Sequence, residues 1–179
     1  MSTRYATYEH FPIPSHIDPD ANLGLSDKFD QQESNLTARD LLTNCVPTIR
    51  PEDSIERAAR LMSEADCGAI PVVDESNRLV GIITNRDITV RAVARGLSIP
   101  HAQVSDCMTR QAFACSVHNT LESCVRGMSW HQVRCIPIVD DEHRVLGMIS
   151  QSDLARYVFD HPEQVRIDTL ADIIRALAY

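Results

Sequence analysis

Residues 69–88 read AIPVVDESNRLVGIITNRDI, and residues 135–154 read CIPIVDDEHRVLGMISQSDL. The two stretches align without a gap at an offset of 66 residues. The register extends outward on the N-terminal side, where Asp40 falls on Asp106, Thr43 on Thr109, Glu56 on Glu122 and Met62 on Met128. One structural unit has therefore been made twice. A unit of about 50 residues buries too little surface to stand securely alone, so the copies are expected to pack on each other. The groove between two related halves is then the natural seat for a small ligand.

Within each copy, two short apolar runs flank a polar turn: Ala69–Val73 and Leu79–Ile83 around Asp74-Glu75-Ser76-Asn77, then Cys135–Val139 and Val145–Ile149 around Asp140-Asp141-Glu142-His143. These runs predict a buried β-hairpin. Upstream, Ile55, Ala58, Ala59 and Met62 form an i, i+3, i+4, i+7 stripe, matched by Leu121, Cys124, Val125 and Met128, and each stripe predicts a helix with one face in a core. Asp53-x-x-Glu56 and Asn119-x-x-Glu122 read as their N-terminal caps. A short helical signal at Thr37–Leu42 and an extended segment near Pro47–Ile49 open the first copy. A last helix runs from Thr84 to Gly96, read as its C′ residue, and its counterpart starts after Ser150 and ends before Pro162.

Pro71 and Pro137 fall inside strands at equivalent positions. Proline cannot donate to a ladder, so each strand is expected to be a sheet edge there. Two readings follow: a bent edge strand, or a place where backbone groups of Ile70 and Val72, or of Ile136 and Ile138, face a cleft.

The hairpin ends in Gly81-Ile82-Ile83-Thr84-Asn85-Arg86-Asp87 and in Gly147-Met148-Ile149-Ser150-Gln151-Ser152-Asp153. In each, a strand runs directly into a helix. Thr84 or Ser150 can cap that helix, whose free N–H groups favour an anion. The aspartate three residues on can accept hydrogen bonds from a vicinal diol such as a ribose. The same [ST]-x-x-[DE] pattern is also a plain capping box. Its recurrence beside the strand proline tilts the reading towards ligand binding.

This doubled pattern resembles the CBS domain in its tandem arrangement, the Bateman module, and is most similar to short stand-alone bacterial CBS-pair proteins. The resemblance covers residues 36–159. It implies an α/β (α+β) fold of two β-α-β-β-α repeats, 36–96 and 104–159, joined by a linker at 97–103 and packed about a pseudo-twofold axis. It also implies a non-catalytic regulatory module that senses AMP, ADP, ATP, S-adenosylmethionine or a related adenosine compound and signals through a regulated protein. On this resemblance Asp87 and Asp153 take ribose hydroxyls, and Thr84 and Ser150 lie near sugar or phosphate. Val46, Ile70 and Pro71 surround the base in one cleft, and Ala112, Ile136 and Pro137 do so in the other. Arg134, where the first copy has Gly68, is the candidate phosphate contact, with Arg86 and His131 as weaker helpers.

The remaining composition sets bounds. The chain has 179 residues and a net charge of -8, which disfavours nonspecific binding to nucleic acid or anionic lipid. Aromatics at 5% offer no base-stacking platform. No apolar run of membrane-spanning length is present, and the first residues carry no apolar signal segment, so a cytoplasmic protein is expected. The six cysteines show no C-x-x-C spacing and read as small buried hydrophobes, with a thiol or zinc sensor as the rival. No G-x-S-x-G, H-E-x-x-H or phosphate-cradling loop points to an enzyme. A ligand-free scaffold is the stronger rival function. Residues 1–35 read as an extended arm. Residues 160–179 read as an amphipathic helix with the stripe Val165, Ile167, Leu170, Ile173, Ile174 and Leu177. Each unit offers its main helix stripe and a further apolar helix, more surface than one partner can cover, which predicts a homodimer.

Overall fold

The computed structural model describes residues 36–43 and 46–161. The arm expected over 1–35 and the stripe over 165–177 lie outside the described residues, as does Cys45. Each copy of the repeat keeps the helix–hairpin–helix order that its sequence pattern predicts. Helix α1 (Ala38–Leu41) precedes α2 (Ile55–Glu64), β1 (Ala69–Val73), β2 (Leu79–Thr84) and α3 (Asn85–Asp87), which continues as a π-helical segment, Ile88–Val93. After a 3₁₀ turn at Val104–Asp106 come β3 (Thr109–Arg110), β4 (Cys115–Ser116), α4 (Leu121–His131), β5 (Cys135–Val139), β6 (Val145–Ser150) and α5 (Gln151–Asp160). The strands form two three-stranded sheets, β1-β2-β3 and β4-β5-β6.

The order β3 next to β2 exposes the central feature of the fold. Strand β3 leads into the second copy, yet it pairs with the first, Ile82 opposite Thr109 and Gly81 opposite Arg110. Its mate 66 residues earlier does the reverse, Thr43 bridging Met148. The same exchange recurs at three further points. Ala38 N–H donates to Asn119 O as Val104 N–H donates to Asp53 O; Leu121 N–H donates to Leu36 O as Ile55 N–H donates to Ala102 O. At the hairpin tips Leu79 N–H donates to His143 O and Val145 N–H to Asn77 O. Pairs of the form (a, b+66) and (b, a+66) are what a twofold axis between the copies produces.

The cores follow this exchange. One gathers Ala38 with Leu121, Cys124, Val125, Met128, Ile136 and Ile149; the other gathers Ile55, Ala58, Met62, Ile70 and Ile83 with Ala102, Val104, Cys107 and Met108. A third, smaller cluster on the axis joins Val73 and Leu79 to their counterparts Val139 and Val145. Each packing unit thus combines the body of one repeat with the lead-in of the other.

Three local expectations are corrected. Ala59 is exposed, so the stripe of α2 is narrower than its spacing suggested. The caps are Ser54, accepting from Arg57 N–H, and Thr120, accepting from Ser123 N–H. Asp53 and Asn119 instead close the preceding turns, accepting from Arg50 N–H at 2.9 Å and Ser116 N–H at 2.7 Å. The prolines are edge positions only in part. Ile49 N–H donates to Pro71 O and Val73 N–H to Ile49 O, so a parallel neighbour begins at the proline carbonyl. In the second copy β4 fills that place, Cys115 opposite Ile138. Because strand residues alternate in direction, Ile70 and Val72 point their backbone groups at β2 and do not offer them to a cleft.

Among the described residues no helix is long and apolar enough to cross a membrane.

Candidate functional site

The two strand-to-helix turns are built identically. Thr84 N–H and Thr84 Oγ1 donate to Asp87 Oδ2 at 2.9 and 2.7 Å, and Asp87 N–H returns a bond to Thr84 Oγ1 at 3.1 Å. Ser150 N–H and Oγ donate to Asp153 Oδ2 at 2.9 and 2.5 Å, with Asp153 N–H to Ser150 Oγ at 3.2 Å. Both are complete reciprocal capping boxes, so one oxygen of each aspartate is committed to the helix start. Only the second oxygen, Oδ1, is placed to meet anything else.

The lead-in exchange decides what that oxygen meets. The strand crossing each turn belongs to the other repeat and passes against the motif glycine. A Cβ on Gly81 would lie 2.6 Å from Thr109 O, and one on Gly147 would lie 2.5 Å from Thr43 O. Thr43 is thereby carried to Asp153, to whose Oδ1 its hydroxyl donates at 3.3 Å. A surface pocket of about 190 Å³ opens beside this contact. Its walls are Asp40, Leu41 and Thr43 of the first repeat and Asp153, Arg156, Tyr157 and Asp160 of the second, with His161 beyond.

In the first copy the corresponding oxygen is met by a cation. Arg91 Nη1 stands 3.1 Å from Asp87 Oδ1 and donates to Thr109 Oγ1 at 2.9 Å and Cys107 O at 3.2 Å. Asp87 is buried.

The other sequence-selected residues fall into two groups. Ile70, Pro71, Ile136 and Pro137 are buried, Ile70 and Ile136 completely, so their side chains serve the cores. Val46 packs on the axial cluster, and Ala112 is half-buried. Arg86 and Arg134 are exposed, and neither lines the pocket. Arg134 O accepts from Gln151 N–H, which seats Arg134 beside the start of α5; Gly68 O holds the same relation to Asn85. His131, exposed overall, stacks on Phe113 with ring centroids 4.2 Å apart, and the partial desolvation lowers its pKa. Sequence reasoning missed Thr43, Arg91 and Tyr157. The repeat register already paired Arg91 with Tyr157, and only the crossing of the lead-ins shows why that difference matters.

No group of three or more His, Cys, Asp or Glu side chains suited to a metal ion occurs among the described residues. Cys115 and Cys124 share a hydrogen bond inside the second core, which lowers Cys115 and, with burial, raises Cys124.

A family model for the CBS domain matches residues 38–93 and 104–160, and the chain belongs to that family. Some of its relatives are stand-alone pairs of such domains, whereas others, homoserine O-acetyltransferases and an inosine-5'-monophosphate dehydrogenase of Methanocaldococcus jannaschii, match over only about a quarter of their own length. Hypoxic response protein 1 of Mycobacterium tuberculosis is 30% identical over 125 residues, 70% of this chain and 87% of that protein. A crystal structure of Hypoxic Response Protein I with two coordinated zinc ions matches with a TM-score of 0.63 over 68% of this chain and 98% of that one. The CBS domain-containing protein YhcV of Bacillus subtilis is 36% identical over 119 residues, 66% of this chain and 83% of that one. The CBS domain pair of protein MJ0100, in complex with 5′-methylthioadenosine and S-adenosyl-L-methionine, gives a TM-score of 0.61 at 29% identity, covering 67% of this chain and 97% of that one.

Proposed function

We propose that this protein is a non-catalytic regulatory module that binds an adenosine-containing ligand between its paired repeats and passes the bound state to a partner protein. The observation that carries this reading is the meeting of Thr43 and Asp153 across the two repeats at the mouth of a pocket. A ligand seated there touches both halves at once, so its binding free energy acts on their relative packing. That is the physical requirement for a sensor. In this reading Asp153 accepts from the ribose hydroxyls through Oδ1, Ser150 stays committed to the cap, and Arg134 meets phosphate where the ligand has one. Ala112, Ile136 and Pro137 shape the surroundings of the base in this cleft through packing. The MJ0100 pair supports the ligand class, since it is similar to this chain at 29% identity and was crystallised with two adenosyl compounds.

We propose further that the working form is a homodimer. Val93 and Phe159 occupy equivalent positions on the last helical segment of each repeat and are 58% and 86% exposed, and Trp130 on α4 is 73% exposed. Large apolar groups left this open favour a partner surface. Sedimentation at micromolar concentration is expected to give two chains per particle, and a monomer there would remove this part of the proposal.

The function is tested by calorimetric titration with adenosine, AMP, ATP and S-adenosylmethionine. At least one is expected to bind. Asp153→Asn should weaken it about tenfold or more, the loss expected for a hydrogen bond to a charged acceptor. Arg134→Ala should weaken ATP more than adenosine. If the parent binds none of the four, the scaffold reading replaces this one.

A further inference from the structure

The two motif aspartates are chemically alike but are not equally available. Each spends Oδ2 on its own cap. Asp153 presents Oδ1 to the exposed hydroxyl of Thr43 at the edge of an open pocket, and no cation among the described residues pairs with it. Asp87 has Oδ1 taken by Arg91, whose Nη1 also bonds Thr109 and Cys107 of the crossing lead-in. Thr109 is the twofold mate of Thr43. Arg91 therefore joins by a cation the two walls that, in the other cleft, meet only through the Thr43–Asp153 hydrogen bond beside the pocket. Its own mate is Tyr157, a residue that lines that pocket and carries no charge.

A helix i, i+4 ion pair on a surface contributes little. This one differs in two ways. The Asp87 side chain is 10% exposed, against 41% for Arg91, and the guanidinium is held by three acceptors on two elements. A diol reaching Asp87 must displace a charged donor from a buried carboxylate and leave the arginine with fewer partners, an exchange of a stronger bond for a weaker one.

We propose that Arg91 closes the first cleft from within, so that each chain carries one adenosyl site, at Asp153, while the first cleft is a permanently occupied structural copy. This rests on the adenosyl reading given above. It makes Arg91 the residue that sets stoichiometry, and Tyr157 the residue that leaves the second cleft open.

Titration calorimetry with S-adenosylmethionine and AMP, on the full chain, tests it. The parent is expected to bind one ligand per chain. Asp153→Asn should weaken that binding tenfold or more, whereas Asp87→Asn should leave affinity and stoichiometry unchanged. Arg91→Tyr, which installs the side chain of the open cleft, and Arg91→Ala should each raise the count to two. Either Arg91 change should restore one site in the Asp153→Asn background. Thr109→Val removes a bond from Arg91 without freeing Asp87, so it is expected to lower the melting temperature and leave the count at one; this separates closure from stability. Two sites in the parent, or one site in both Arg91 variants when circular dichroism shows them folded, would overturn the role of Arg91 and leave the ligand reading intact. Should Arg91→Ala fail to fold, Arg91→Tyr carries the comparison. Absence of binding in every variant would overturn the ligand reading and this assignment with it.

Discussion

Gly81 and Gly147 hold their places because a backbone carbonyl of the other repeat lies where a side chain would begin. Gly81→Ala and Gly147→Ala are therefore expected to lose stability by about 1–3 kcal/mol each, the cost of overpacking where the obstacle is main chain, read from urea unfolding. An unchanged midpoint in both would mean the lead-ins do not cross there. Cys135 offers a test of a different kind. Burial, with the nearby Cys67 thiol adding to it, pushes Cys135 up to about 11 from the ordinary 9.0. The folded state thus holds this proton more firmly than the unfolded chain does. Its contribution is complete below about pH 9 and is lost as pH rises through about 11, on the order of 2 kcal/mol in all. The first repeat carries Ala69 at the same place, so Cys135→Ala is a natural comparison. The parent should lose stability relative to this variant between pH 9 and 11, and parallel curves would contradict the burial of the thiol.

At the scale of the element, the caps separate what spacing reveals from what it hides. Asp53-Ser54 and Asn119-Thr120 each offer two residues able to start a helix, and a pattern of types cannot choose between them. The chain uses both: the acid or amide closes the incoming turn and the hydroxyl caps the helix. Glu56 is then free to pair with Arg60 at 2.9 Å. Ser54→Ala should cost about 1 kcal/mol and speed hydrogen exchange at the Arg57 amide. Asp53→Ala should leave that amide protected, and the opposite result would return the cap to Asp53. Strand and helix positions were legible because apolar periodicity is a local property, and the 66-residue register counted every signal twice. The capping box was legible too, since it is local. The partners of the second carboxylate oxygens were not. Asp153 meets Thr43 from 110 residues away, and although Asp87 meets Arg91 only four residues on, that arginine is held in turn by Thr109, a further 18 residues along. Nothing in a single repeat announces that its first strand will pair with the other copy.

At the scale of the molecule, that exchange changes what counts as a folding unit. The core built on Ile55, Ile70 and Ile83 is completed by Ala102, Val104, Cys107 and Met108, all of them downstream of the first repeat as the sequence divides it. A fragment of residues 36–96 contains one sequence repeat but lacks these four side chains and the strand that pairs with β2. A fragment of residues 46–110 contains less of the first repeat and has the whole of that core. Fully burying a side chain such as Val or Met contributes about 1.5–3 kcal/mol, so losing four buried groups exceeds what a piece this small can spare. The 46–110 fragment is thus expected to show the cooperative thermal transition by circular dichroism, and the 36–96 fragment to show none, although the latter follows the repeat boundary. Both fragments leave the axial face of Val73 and Leu79 uncovered, so that shared defect cannot produce the difference. The reverse ordering would mean that the lead-ins only decorate the repeats. The same exchange explains how a small ligand could act on the whole chain: any group seated between Thr43 and Asp153 lies on the seam by which one repeat completes the other.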